Sequence, residues 1–196
     1  HQLVYEQTPE EFRLDLQRAT EAIFNACGQR PIAYRAPGFS ICEEQTWAYD
    51  ILGENGYTVD CSIFPSKRAH GGFRDFPIDS PCKIVSFDGH VIACLPICPA
   101  KIGPIRMVFS GGGYFRIIPY YILSYLFKNQ AYIMTYFHPR DFDPYHPTIP
   151  GLSKLRSIKA NIGTKHAMQK FIKIIKNYKI LSIQQAFNQD AFNKSR

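Results

Sequence analysis

TPEEFRLDLQRATEAIFNACGQRPIAY, running from Thr8 to Tyr34, reads as one helix followed at once by a strand. Thr8 can cap the helix, Pro9 suits its first position, and Glu11, three residues after Thr8, completes a capping box. Phe12, Leu16, Ala19, Ile23 and Phe24 recur at helical spacing, and Gly28 supplies a left-handed stop. Ile32-Ala33-Tyr34 is then a short strand. Ser40 and Glu43 repeat the capping-box pattern and open a second helix through Trp47, Ile51 and Leu52, closed near Gly56. Tyr57 to Ile63 is the next strand. Helices and strands that alternate over short connections predict β/α units around a parallel sheet.

The middle of the chain departs from that rhythm. Ile84–Phe87, Asp88-Gly89 and His90–Cys94 read as a β-hairpin with a tight turn. Pro and Gly are frequent from Pro65 to Gly113, so residues 66–116 are expected to form a hairpin and loops inserted over the main sheet. Ile117 to Lys128 reads as a helix with Pro119 near its start, and Ala131 to Phe137 as a buried strand. Thr164 can cap a helix to Tyr178 whose inner face carries Met168, Phe171, Ile172 and Ile175. Lys179 to Ile183 reads as a last strand, before a short helix.

The 196 residues suit one domain with a real core, and no apolar run approaches the roughly 20 residues of a membrane span. Six cysteines lack zinc-finger spacing, and Cys27 and Cys61 fall in apolar stretches. Reduced, buried thiols in a cytosolic protein are the simplest reading. The net charge of +7 is uneven: residues 1–80 carry 7 basic and 12 acidic side chains, residues 81–196 carry 16 and 4, and no acid lies between Pro144 and Gln189. Such asymmetry can mark an anionic partner, whether a membrane surface, an acidic polymer or a nucleic acid; a solvated basic face accounts for it more simply. No nucleic-acid motif is present. The lysine-rich Thr164–Tyr178 helix could lie on a membrane, although its apolar stripe also suits packing on the sheet.

Polar residues stand where strands are expected to end. Arg35 follows the first strand, Asp60 lies near the end of the second, and His138 follows the Ala131–Phe137 stretch. In β/α folds catalytic groups gather at the carboxyl ends of strands, where loops leave room for a substrate. By position alone each of the three is equally a structural residue. The Gly111-Gly112-Gly113 run lets a backbone approach a ligand closely and also fits a plain tight loop; no Lys-Ser/Thr follows, so it is not a phosphate loop.

Five stretches occur in order: His1–Thr8, Tyr34-Arg35-Ala36-Pro37-Gly38-Phe39-Ser40, Asp60-Cys61-Ser62-Ile63-Phe64-Pro65, Ser110–Arg116, and Tyr136-Phe137-His138-Pro139. Together they resemble the polysaccharide deacetylases of the NodB-homology class, and within it the bacterial subgroup linked to exopolysaccharide synthesis. The resemblance spans nearly the whole chain. It implies an α/β fold, a distorted seven-stranded (β/α) barrel, here an N-terminally incomplete domain over residues 1–196 that lacks its first β/α units. It also implies hydrolysis of N-acetyl groups from amino sugars of a polysaccharide, with a divalent metal, commonly zinc, as cofactor.

By that resemblance His1 is a metal ligand, matching the second histidine of an H-x-x-x-H pair. Arg35 orients the aspartate that acts as general base, the Gly38 N–H helps hold the oxyanion, and His138 is the general acid. Asp60, Phe39, Tyr114 and Arg116 are expected to line the substrate groove. The first metal histidine and two aspartates are expected upstream of His1, so this stretch alone is expected to be inactive and to bind metal poorly, since one imidazole cannot hold a four-coordinate zinc. Ala93-Cys94-Leu95-Pro96 departs from the subgroup, where an acid often stands before an apolar residue and proline. The alternative is a non-catalytic carbohydrate-binding protein on the same fold. The expected partner is an N-acetylated amino-sugar polysaccharide rather than nucleic acid, and the expected compartment is the bacterial cytoplasm.

Overall fold

The computed structural model describes residues 2–66, 71–102, 105–145, 157–158 and 161–188. The chain divides into two compact units, residues 1–97 with 181–196, and residues 98–180. Among the described residues it is a mixed α/β protein with six α-helices, one four-stranded sheet and one two-stranded sheet.

The first unit opens with α1 (Pro9–Cys27), and its predicted ends hold in full. The Thr8 hydroxyl accepts the Glu11 N–H while the Glu11 carboxylate accepts the Thr8 N–H. Gly28 closes the helix in the left-handed conformation. Phe12 and Leu16 are buried, and the Phe12 ring meets Tyr34 and Trp47 edge-on, each with centroids 5.7 Å apart. Thr20, also buried, joins the Tyr57 hydroxyl at 2.8 Å.

Strand β1 (Ala33–Tyr34) pairs parallel with β2 (Val59–Asp60), and β2 pairs parallel with β4 (Val91–Cys94). Strand β3 (Cys82–Val85) closes the edge antiparallel to β4. The parallel ladder runs past the formal strands, since Cys61 N–H reaches the Tyr34 carbonyl at 2.8 Å and Leu95 N–H the Asp60 carbonyl at 2.8 Å. The predicted hairpin is therefore not laid over the sheet: its second strand is a member of it. Its loop is three residues, Phe87–Gly89, closed by the Ser86 N–H to the His90 carbonyl. Gly89 takes the left-handed conformation that such a loop needs.

Helix α2 (Ala48–Glu54) starts later than predicted, because the Ser40 hydroxyl accepts the Val4 N–H at 2.9 Å and does not cap it. A separate 3-10 turn covers Glu43–Gln45. Gly53 lets His90 lie against this helix, since a Cβ there would come within 2.3 Å of the imidazole. The expected strand Lys179–Ile183 is irregular backbone ahead of a short helix over residues 183–188.

The second unit contains β5 (Ala100–Ile102) paired antiparallel with β6 (Ile105–Met107), then α3 (Gly112–Ile117), α4 (Tyr120–Lys128) and α5 (Thr164–Asn177); the helix over 183–188 is α6. The single helix expected over 117–128 is broken at Ile118-Pro119, because proline disfavours helical geometry in the residue before it. Residues 131–137 form no strand; only Tyr136 bridges to Gly111. Thr164 is the first residue of α5, and left-handed Gly163 holds the cap position.

The predicted inner face of α5 is displaced. Ala167 and Ile174 are buried and Phe171 packs with them, whereas Met168, Ile172 and Ile175 are about two-fifths exposed. Lys170 explains the shift. Its ammonium donates to the carbonyls of Phe115, Arg116 and Ile118 at 3.2, 2.6 and 2.8 Å, satisfying the end of α3. Partial burial lowers its pKa.

Two glycines of the triple-glycine run have different duties. A Cβ on Gly111 would lie 1.9 Å from the Tyr136 carbonyl oxygen, so a side chain there must open the bridge. Gly113 lies inside α3, and a Cβ there would make only an ordinary 3.6 Å contact with Arg116. Gly111→Ala is expected to cost about 3 kcal/mol of unfolding free energy. Gly113→Ala should be neutral or gain up to about 1 kcal/mol from helix propensity. Urea unfolding of the two variants side by side checks the contrast.

Candidate functional site

In the first unit the backbone leaves the carboxyl end of β1 and enters the turn Arg35–Ser40. Two bonds tie this turn to the segment after β2, and a third braces that segment against the end of the strand. Arg35 Nε donates to the Cys61 carbonyl at 3.3 Å, Ala36 N–H to Ser62 Oγ at 2.8 Å, and Ser62 N–H to Asp60 Oδ2 at 3.1 Å. Pro37–Phe39 is a single 3-10 turn in which Gly38 (φ 62) and Phe39 (φ 58) are both left-handed.

Phe39 is the non-glycine residue with positive φ among the described residues. That conformation costs a non-glycine residue about 1–2 kcal/mol, so its surroundings must impose it. They do so from two sides. Gly72 N–H holds the Phe39 carbonyl at 2.9 Å, and Gly71 packs so closely that a Cβ would sit 2.4 Å from that oxygen. The Phe39 ring packs on Phe64 at 5.2 Å and lies 5.9 Å below the Arg35 guanidinium. Arg35 and Gly38 are exposed, so both are open to a ligand. Phe39, expected in the groove, is buried and shapes the turn instead.

Asp60 takes the structural role that its position allowed as readily as a place in the groove. It is wholly buried, and its carboxylate receives the Ser62 N–H. Burial raises its pKa to about 6, against the opposing pull of the Ser62 hydrogen bonds, the Arg35 charge and the Tyr49 hydroxyl. Cys94 places its sulfur 4.0 Å from Asp60 Oδ2.

His138 belongs to the second unit. Phe137 before it is packed among Phe115, Phe142 and Phe171 with centroid separations of 4.9, 5.1 and 5.4 Å. Its own N–H donates to Asp141 Oδ2 at 2.9 Å. The other oxygen of Asp141 faces Arg116 Nε at 3.3 Å, and both of these side chains are almost fully buried. A buried aromatic cluster and a buried ion pair thus fix the backbone of His138, while the residue itself is exposed. Arg116, expected to touch sugar, is committed to Asp141. Tyr114 is 55% exposed and remains open to a ligand.

The expected metal ligand His1 lies outside the described residues. Among those described, no three His, Cys, Asp or Glu side chains gather as a divalent cation requires, so these residues do not make up the zinc site that the resemblance implies. The six cysteines are free thiols; Cys61, Cys94 and Cys98 are buried as expected, whereas Cys27 is exposed. No helix among the described residues is long and apolar enough to cross a membrane.

Ser62 and Lys170 are anchoring residues that sequence reasoning passed over. Asp60-Cys61-Ser62 carries the signal for the first, since an aspartate often accepts the N–H two residues on. No comparable signal marks Lys170, because the carbonyls it satisfies lie more than 50 residues away.

A family model described as Domain of unknown function (DUF3473) matches residues 61–188, about two-thirds of the chain. The chain belongs to that family. No curated protein and no solved structure gives a significant match. The DUF3473 match contains Ser62, Tyr114, Arg116, His138 and Asp141, and begins just after Asp60, beyond the Arg35–Ser40 turn.

Asp60 gives this part of the molecule a pH signature. Its folded pKa of about 6 stands above the ordinary aspartate value of 3.8, so the folded state holds the proton more tightly than the unfolded chain. The stability it contributes is full below the unfolded value and is lost as pH rises through the folded one, on the order of 3 kcal/mol in all. Asp60→Asn keeps an acceptor for Ser62 but no charge. Its unfolding free energy relative to wild type should rise between pH 4 and pH 7, as read by urea denaturation at both pH values. An unchanged difference between the two proteins would count against a strained carboxylate.

Proposed function

We propose that this chain forms part of a polysaccharide deacetylase that hydrolyses N-acetyl groups of amino sugars, on the seven-stranded (β/α) barrel that its motifs resemble. The observation that carries the reading is the Arg35–Ser40 turn. It stands at the carboxyl end of a parallel strand, holds two successive residues in left-handed geometry, and leaves Arg35 and Gly38 exposed. Backbone strain maintained by cross-links is a mark of functional loops, and the carboxyl ends of parallel strands are where such loops gather. The free thiols suit a reducing compartment such as the bacterial cytoplasm.

In this reading water adds to the acetyl carbonyl, and the C–N bond then breaks to release acetate and an amine. The exposed Gly38 N–H is suited to receive the oxyanion. Arg35 would orient the carboxylate that takes the proton from water; a planar guanidinium held by the Cys61 carbonyl is well suited to that task. His138 would protonate the departing nitrogen, the general-acid role that the resemblance implies for it. Its immobilised backbone favours a defined imidazole position. A divalent metal, commonly zinc, would polarise the acetyl carbonyl when bound.

The test is acetate release from N-acetylglucosamine oligomers by the protein extended with whatever residues its gene encodes before His1. His138→Ala should lower kcat by about a hundredfold or more. Arg35→Lys should lower it as well, because a lysine lacks the planar fork. Wild-type rates in the His138 variant would remove that residue from the mechanism.

A further inference from the structure

Away from the Arg35–Ser40 turn, the first unit contains an open groove of about 600 Å³, a size in the range of small-ligand sites. Trp47 and Asp50 approach it from the start of α2, Phe73 and Phe76 from the segment after β2, and Ser86 and Phe87 from the hairpin. Among the described residues of the lining, Asp50 carries the charge.

Phe87 stands out. It is 97% exposed at the tip of the hairpin loop, so folding gains nothing from burying it. The loop that presents it is nevertheless fixed. Asp88 N–H donates to Asp50 Oδ1 at 2.8 Å, Ser86 N–H to the His90 carbonyl at 2.9 Å, and His90 N–H to Ser86 Oγ at 3.2 Å. A large apolar ring held rigidly in water beside four other aromatic rings, those of Trp47, Tyr49, Phe73 and Phe76, is a preorganised contact surface.

We propose that this groove binds an amino-sugar polysaccharide, stacking the C–H faces of its pyranose rings on Phe87 and Trp47 and holding a free amine at Asp50. The lining fits that class better than its competitors. The Asp50 carboxylate would repel phosphate or an anionic headgroup. A lone carboxylate in an aromatic groove suits a ligand that is flat, hydroxylated and cationic. The inference rests on the polysaccharide part of the proposed function and not on the hydrolysis.

Trp47 is the single tryptophan of the chain, so its emission reports the groove directly. Glucosamine hexamer is titrated into the protein and the Trp47 emission followed, with cellohexaose as the uncharged comparison. A saturable change is expected, tighter for the amino sugar. Phe87→Ala should weaken both by about fivefold without loss of stability, as its ring is unburied. Asp50→Asn should abolish the preference for the amino sugar while cellohexaose binding remains. Tyr121→Ala, an exposed ring of the second unit, should change neither. No saturable change, equal affinity for the two sugars, or binding indifferent to Phe87→Ala would overturn the proposal. Acetate release is read separately, so a protein that binds but does not hydrolyse sinks only the enzymatic reading.

Discussion

The bond from Ala36 N–H to the Ser62 hydroxyl, backed by Ser62 N–H on Asp60, is the constraint on which the first unit turns. Strands β1 and β2 are only two residues long, so ladder bonds alone hold little. Each hydrogen bond contributes about 1 kcal/mol net, and fixing each backbone residue costs as much or more. What makes the pairing definite is that the segments leaving both strands are joined side chain to backbone just beyond the ladder. The Arg35–Ser40 turn inherits its shape from that junction. The cost is a buried carboxyl, raised to a pKa of about 6 because the Ser62, Arg35 and Tyr49 interactions offset burial only in part.

Two similar sequence patterns met different fates here. Thr8-x-x-Glu11 and Ser40-x-x-Glu43 are both capping boxes on paper, yet only the first caps a helix. The difference is burial. Thr8 is exposed and its hydroxyl has only its own helix to serve, while Ser40 is fully buried beside Val4, whose N–H would otherwise lack a partner. An unsatisfied buried N–H costs more than a frayed first turn, so the tertiary bond wins. Local signals therefore made α1 and the β3–β4 hairpin legible. They could not reveal β4 as the parallel neighbour of β2, which depends on contacts more than 30 residues apart.

The second unit was read less well for a related reason. Residues 131–137 have the composition of a buried strand, but Tyr136 alone finds a ladder partner, and Phe137 turns to an aromatic cluster. In α5 a lysine sits where an apolar face was expected, because three carbonyls at the end of α3 need a donor. Arg116 looked like a surface residue after a glycine loop and is instead one half of a buried ion pair. Breaking such a pair by removing one partner leaves an uncompensated buried charge, so Arg116 and Asp141 serve His138 through its backbone rather than as ligands themselves. The candidate residues that survive as exposed are Arg35, Gly38, Tyr114 and His138. Asp60, Phe39 and Arg116 are buried.

The uneven charge of the chain acquires a chemical sense under the proposed reaction. Removing an acetyl group turns a neutral amide into an amine that is protonated at neutral pH, so the product of each turnover is a more cationic polymer than the substrate. Residues 1–80 carry five more acidic than basic side chains, and the aromatic groove of the first unit carries the Asp50 carboxylate. A surface of that sign attracts the modified polymer more than the unmodified one, and salt weakens the attraction over the Debye length.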